Sequence, residues 1–178
     1  LNNEQIFQMG PLDQGWWPDG LYLPASDDAL YFDVKAMKDL GFNMVRKHIK
    51  VEPARWYHWC DRLGLLVWQD FPSPNLPQGS EDFAKANFEE EVNHIIPALK
   101  CAPSIVHWVV FNEGWGQFDT ERMTRLVDAK VNALTPARFG KASLICCASG
   151  WTDQEVGNII DTHSYPNPSC PQNANRAA

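Results

Sequence analysis

The chain has no apolar run of the ~18–20 residues needed to span a bilayer, so it predicts no membrane-crossing helix. Positive charge is scarce, with 15 Lys and Arg against 22 Asp and Glu, giving a net charge of -7 and a pI near 5.1. That balance argues against a nucleic-acid partner, which would call for a basic face. No G-x-G-x-x-G or G-x-x-x-x-G-K follows a candidate strand, so the phosphate-cradling loop of many nucleotide enzymes is absent. The five cysteines (Cys60, Cys101, Cys146, Cys147 and Cys170) show no metal-ligand spacing. An odd count also fits no disulfide framework, so they read as reduced, buried thiols. No signal-peptide pattern, internal repeat or low-complexity stretch stands out. Both ends read as cut: residues 1–5 are polar, and residues 166–178 are rich in Pro, Asn and Ala.

What remains is a globular composition, 44% hydrophobic and 21% charged, in 178 residues that read as one domain. Helical and strand patterns alternate. Strands are predicted at 6–9, 42–49, 65–70, 104–111, 142–148 and 158–163. Helices are predicted at 27–40, from Pro53 to before Gly64, at 82–100 and at 120–134. Ser26 is a fitting N-cap for the first helix, with Asp27 and Asp28 in its first turn and Gly41 just past its end. Alternation of this kind implies parallel strands with crossover helices, in either an open doubly wound sheet or a (β/α)8 barrel. The missing phosphate loop favours the α/β barrel. A barrel typically needs ~250 residues, so this chain reads as an incomplete one, with about strands 1–6 present and strands 7–8 missing.

The most informative stretch is Ser104–Gly116, where a run of apolar and β-branched residues ends abruptly at Asn112-Glu113 and then Gly114-Trp115-Gly116. The run predicts a strand buried on both faces. A carboxylate at its end is costly unless paired, neutral or used. The other strand ends add Asp13, Gln14, Trp16 and Trp17, then Arg46 and His48, then Gln69 and Asp70. The later ones add Ser149, Trp151, Thr152 and Asp153, and finally Asp161, His163 and Tyr165. In a barrel these converge on one bowl. Carboxylates and amides bind hydroxyls, and indole faces take C–H-rich ring faces, so the bowl suits a neutral polyhydroxylated ligand. Trp108 is counted with this aromatic set, whereas His107, in mid-strand, reads as a core residue.

Several blocks resemble glycoside hydrolase family 2. Phe111-Asn112-Glu113-Gly114-Trp115-Gly116, preceded by Pro103-Ser104-Ile105, is similar to the family's acid/base signature. Phe42-Asn43-Met44-Val45-Arg46 resembles its second-strand block. Trp56-Tyr57-x-x-Cys60-Asp61-x-x-Gly64-Leu65 with Val67-Trp68-Gln69-Asp70 resembles the helix and strand that follow. Ala148-Ser149-Gly150-Trp151 and Asp161-Thr162-His163-Ser164-Tyr165-Pro166 resemble the fifth and sixth strand ends. The pattern departs at 136–141, where a tight turn is expected. The nucleophile strand is expected only after residues 175–178.

The resemblance implies a retaining β-glycosidase, β-galactosidase-like, with no cofactor, no metal and a carbohydrate as its partner. Glu113 would be the general acid/base, with its pKa raised. Asn112 would bond the sugar 2-hydroxyl, and Arg46 and Tyr165 would position the nucleophile. Asp70, His163, Trp16 and Trp151 would complete the substrate-binding set, the tryptophans by stacking. Lacking a nucleophile, the 178 residues alone are expected to be inactive. Two other readings use the same residues: a non-catalytic carbohydrate-binding barrel, and a metal-dependent hydrolase built on Asp13, Asp70, Asp161 and His163. The lack of a His-x-His on the first strand counts against the latter.

Overall fold

The computed structural model describes residues 1–73, 81–134 and 143–169. Part of the proline-rich loop at 71–77, the irregular 136–141 segment, Cys170 and the 175–178 stretch lie outside these residues. Five parallel strands run β1 (Leu12–Asp13), β2 (Met44–Lys47), β3 (Leu66–Asp70), β4 (Ile105–Asn112) and β5 (Leu144–Ser149). They are joined by α1 (Asp27–Asp39), α2 (Ala54–Leu63), α3 (Glu81–Leu99) and α4 (Thr120–Leu134). The spatial order is β1-β2-β3-β4-β5, each strand pairing with its predecessor. A doubly wound sheet would reverse its order at a switch point. This one does not, so it curls in the sense of a barrel. No helix among the described residues is long and apolar enough to cross a membrane.

Local chemistry accounts for the helices. Ser26 has an extended backbone and its side chain accepts from the Ala29 N–H at 3.1 Å, capping α1. Leu30, Val34 and Met37 then share the buried face. Gly64 closes α2 in the left-handed region, at φ 68°. Trp56, Tyr57 and Cys60 anchor that helix in the core. On α4, Met123, Val127 and Val131 are buried, while Leu134 at the end of the stripe is exposed. The helix-side core is aromatic: Phe88 stacks on Phe111 at 5.3 Å and Phe71 on Trp108 at 5.4 Å. Trp108, read from the sequence as part of a ligand-facing set, therefore belongs to this core. β4 is buried along nearly its whole length, as its unbroken apolar run predicts.

Two strand expectations are corrected. The first strand is Leu12–Asp13, not 6–9. Residues 7–9 are bound by one side chain instead: Asn43 Nδ2 donates to the Phe7 carbonyl at 2.7 Å, and its Oδ1 accepts from the Met9 N–H at 2.8 Å. The segment 158–163 lies beside β5 but contributes a single parallel bridge, Ile159 with Cys146. Side chains take the places a ladder would use. Asn158 Oδ1 accepts from the Ile145 N–H at 2.6 Å, and Asp161 accepts from the Gly150 N–H.

His107 is wholly buried on β4, edge-on to Trp68 at 4.4 Å, and neither ring nitrogen has a hydrogen-bond partner among the described residues. Burial pushes its pKa down to about 3 from 6.5. The unfolded chain therefore takes up a proton below about pH 6.5 that the folded chain refuses until about pH 3. From this residue, stability is expected to fall with pH across that window by at most ~1.4 kcal/mol per pH unit. His107→Phe is expected to flatten the slope, a difference read from urea midpoints at pH 7 and pH 5.

Candidate active site

Glu113 leaves the end of β4 in the left-handed region, at φ 52°, and Gly114 follows at φ 74°. A bulky residue there is strained and must be held by its surroundings. The Glu113 N–H donates to the Ser149 carbonyl at 2.8 Å, and Trp151 Nε1 donates to the Glu113 carbonyl at 2.7 Å. The turn re-aims the carboxylate over the strand ends, where its side chain is 16% exposed.

Three donors converge on that carboxylate. Tyr165 Oη and His163 Nδ1 both lie 2.6 Å from Oε1, and Trp115 Nε1 lies 3.4 Å from Oε2. The rest of the network fixes the histidine tautomer. His163 Nε2 lies 3.1 Å from Arg46 Nη1, a group that only donates, so Nε2 accepts and Nδ1 carries the proton to Glu113. Ser149 Oγ, 3.0 Å from the same nitrogen, donates instead to Asp161 Oδ2 at 2.7 Å. Partial burial pushes the Glu113 pKa up, but the bonds from Tyr165, His163 and Trp115 outweigh it and hold the group below the usual carboxylate range. A raised value is the sequence expectation, and this arrangement reverses it. The reason is that the aromatic and imidazole donors aim at Glu113 itself and bind its ionised form more strongly than its protonated one.

Below this layer Arg46 grips Asp70 with both prongs, Nε to Oδ1 at 3.0 Å and Nη2 to Oδ2 at 2.8 Å. Arg46 Nη2 also donates to Asn112 Oδ1 at 2.8 Å. With its oxygen so occupied, the Asn112 amide is oriented with its NH2 as the remaining donor. Burial raises the Asp70 pKa, and the facing guanidinium pulls it back.

Of the eight candidate residues, seven thus form one connected cluster: Arg46, Asp70, Asn112, Glu113, Trp151, His163 and Tyr165. Trp16 stands apart, 61% exposed and edge-on to Tyr22 at 5.4 Å. Other strand-end residues do different work. Gln69 is buried and accepts from Tyr57 Oη at 2.6 Å, and Asp13 binds Lys47 Nζ at 2.5 Å. Asp70, Asp161 and His163 are linked through Arg46 and Ser149 while Asp13 is held by Lys47, and no group of three or more His, Cys, Asp or Glu able to hold a metal occurs among the described residues. Trp115, Ser149 and Asp161, placed near the strand ends by the sequence but given no role in the glycosidase reading, also belong to the network. Their position at strand C-terminal ends is the signal that finds them.

Gly150, at φ 97°, lets His163 approach: a Cβ there would lie 2.5–2.9 Å from three atoms of the imidazole. Gly150→Ala is expected to push the ring off Glu113 and to destabilise the fold by roughly 1–3 kcal/mol, read from the urea midpoint. A variant that unfolds with the native midpoint would contradict this packing.

The family model for glycosyl hydrolases family 2, TIM barrel domain, matches residues 25–165. The chain belongs to glycosyl hydrolase family 2. Its five parallel strands are part of that family's barrel. It is 32% identical over 130 residues to a β-mannosidase of Capra hircus, a match covering 68% of this chain and 14% of that protein. It is 35% identical over 81 residues to a putative β-glucuronidase of Formosa agariphila, covering 46% of this chain and 10% of that one. Among solved structures, an FMN-binding β-glucuronidase from Facaelibacterium prausnitzii L2-6 superposes with a TM-score of 0.67 at 24% identity, covering 83% of this chain and 22% of that one. That likeness shows the shared fold. The chain spans about a seventh of the Capra hircus protein it matches.

Proposed function

We propose that this chain carries the acid/base half of a retaining β-glycosidase site. The observation that supports it most is the Glu113 carboxylate, set by a left-handed turn at the end of β4 among Trp151, Tyr165, His163 and the oriented Asn112 amide. In this reading Glu113 protonates the departing glycosidic oxygen, then deprotonates the water that releases the sugar. Asn112 donates from its NH2 to the 2-hydroxyl, a bond that strengthens as the ring flattens toward the oxocarbenium ion. The nucleophile is a second carboxylate ~5–5.5 Å from Glu113, supplied from outside the described residues. Its negative charge raises the Glu113 pKa. It also draws the Tyr165 hydroxyl away from Glu113, removing one of the donors that hold the proton off. Glu113 is then loaded with a proton only when the site is complete.

The direct check is stereochemical. Proton NMR of a β-glycoside digested by the complete gene product is expected to show the β-anomer first and the α-anomer only after mutarotation. First appearance of the α-anomer would mean inversion and would overturn the double displacement.

A further inference from the structure

Beside the Glu113 cluster lies a cavity of about 160 Å³ lined by Gln14, Trp16, Tyr22, His48, Ile49 and Lys50. It is joined to the site through Ile49, whose N–H donates to Asp70 Oδ2 at 3.3 Å, and through His48, which lies 3.4 Å from the Gln14 amide and feels the charges of Asp70 and Glu113. Its walls are firmly built. Lys50 Nζ donates to the Gly15 carbonyl at 2.5 Å, pairs with Glu52 at 2.9 Å and sits 4.5 Å over the Tyr22 ring. Lys47 pairs with Glu52 at 2.9 Å and Asp13 at 2.5 Å. Gly15, at φ 66°, fits against these groups because it has no Cβ, which would lie 2.3 Å from Glu52 Oε1. This ion-pair quartet of Asp13, Lys47, Lys50 and Glu52 braces the loop that presents Trp16 and Tyr22 as an aromatic corner.

The chemistry of the hollow is neutral. It offers two aromatic faces, the Gln14 amide and an imidazole that burial holds below its usual pKa. The charges around it are committed. Arg46 is held by Asp70, Lys47 by Asp13 and Glu52, and Lys50 by Glu52. Glu113 and Asp161, by contrast, take their side-chain and backbone bonds from uncharged donors. Across the described rim, negative charge is therefore in excess.

Resting on the glycosidase reading, we infer that this hollow holds the far side of the glycon and that the glycon is a neutral hexopyranose rather than a uronic acid. C–H faces of the sugar pack on Trp16 and Tyr22, and its hydroxyls bond Gln14 and His48. A carboxylate on the sugar would meet Glu113, Asp161 and cations already neutralised, an arrangement of like charges that discriminates strongly.

The test uses the complete gene product with p-nitrophenyl β-galactoside, β-mannoside and β-glucoside against p-nitrophenyl β-glucuronide. The best neutral substrate is expected to exceed the glucuronide in kcat/KM by about 100-fold or more. Gln14→Arg, which brings a free cation to the hollow, is expected to narrow that ratio by about tenfold. Glucuronide turned over as well as any neutral sugar would overturn the inference and leave the glycosidase reading standing. A native preference that Gln14→Arg does not move would overturn the assignment of this cavity. Hydrolysis of none of the four would overturn both.

Discussion

Replacing Glu113 with glutamine is expected to slow cleavage of an alkyl β-glycoside by the complete gene product by about 10²–10⁴-fold, the usual worth of a positioned proton donor. Glutamine keeps the shape and its oxygen can still accept from Tyr165 and His163, but its NH2 cannot accept from Trp115 and it cannot protonate a leaving oxygen. The loss should shrink sharply for a nitrophenyl leaving group in the first, glycosylating step, because such a group departs without help. A uniform loss across leaving groups would instead point to disrupted packing. Normal turnover of the alkyl glycoside by Glu113→Gln would remove Glu113 from the chemistry altogether. A Tm for Glu113→Gln that matches the native protein separates a chemical effect from a folding one.

The largest stability effect is expected from Arg46→Met. Asp70 is 1% exposed, and Arg46 supplies two of its hydrogen bonds; the remaining one, from the Ile49 N–H, is long at 3.3 Å. Removing the guanidinium leaves a buried carboxyl without its cation and lets the Asn112 amide and His163 Nε2 drift. Breaking a buried pair in this way costs about 3–5 kcal/mol. For a domain of this size that is a fall in Tm of roughly 6–20 °C. Adding Asp70→Asn to Arg46→Met should recover part of the loss, since the residual burial cost is then that of a neutral amide. Calorimetry that finds Arg46→Met within about 1 kcal/mol of the native protein would show that the pair contributes little.

Much of this arrangement is legible in the sequence because it depends on local pattern. The Ser26 cap, the Leu30-Val34-Met37 face and the helix beginning at Thr120 follow from spacing alone, and they occur as read. The β4 run and its abrupt Asn112-Glu113 end locate the cluster before any coordinates. What the sequence hides is side-chain competition with the backbone. Asn43 binds residues 7–9, and Asn158 and Asp161 satisfy β5, so two apolar segments that look like strands are held by side chains instead. The sign of the Glu113 shift is hidden for a related reason. Apolar flanks suggest desolvation, whereas the outcome depends on Tyr165 and His163, some 50 residues further along the chain, turning their donors toward it. Trp108 and Trp16 show the same limit. Both are tryptophans in or next to a strand, and only the fold sends one into the core and the other to the rim of the neighbouring hollow.

The central claim is that the side chain at 113 faces a bound sugar across the cluster formed by Asn112, Trp151, His163 and Tyr165. It is tested most directly by a crystal structure of the complete gene product carrying Glu113→Gln and soaked with an intact β-glycoside. The account predicts the glycosidic oxygen within about 3 Å of the position-113 side chain, with the sugar 2-hydroxyl on the Asn112 amide. A glycoside bound elsewhere, or bound here with that side chain turned out into bulk water, would contradict it.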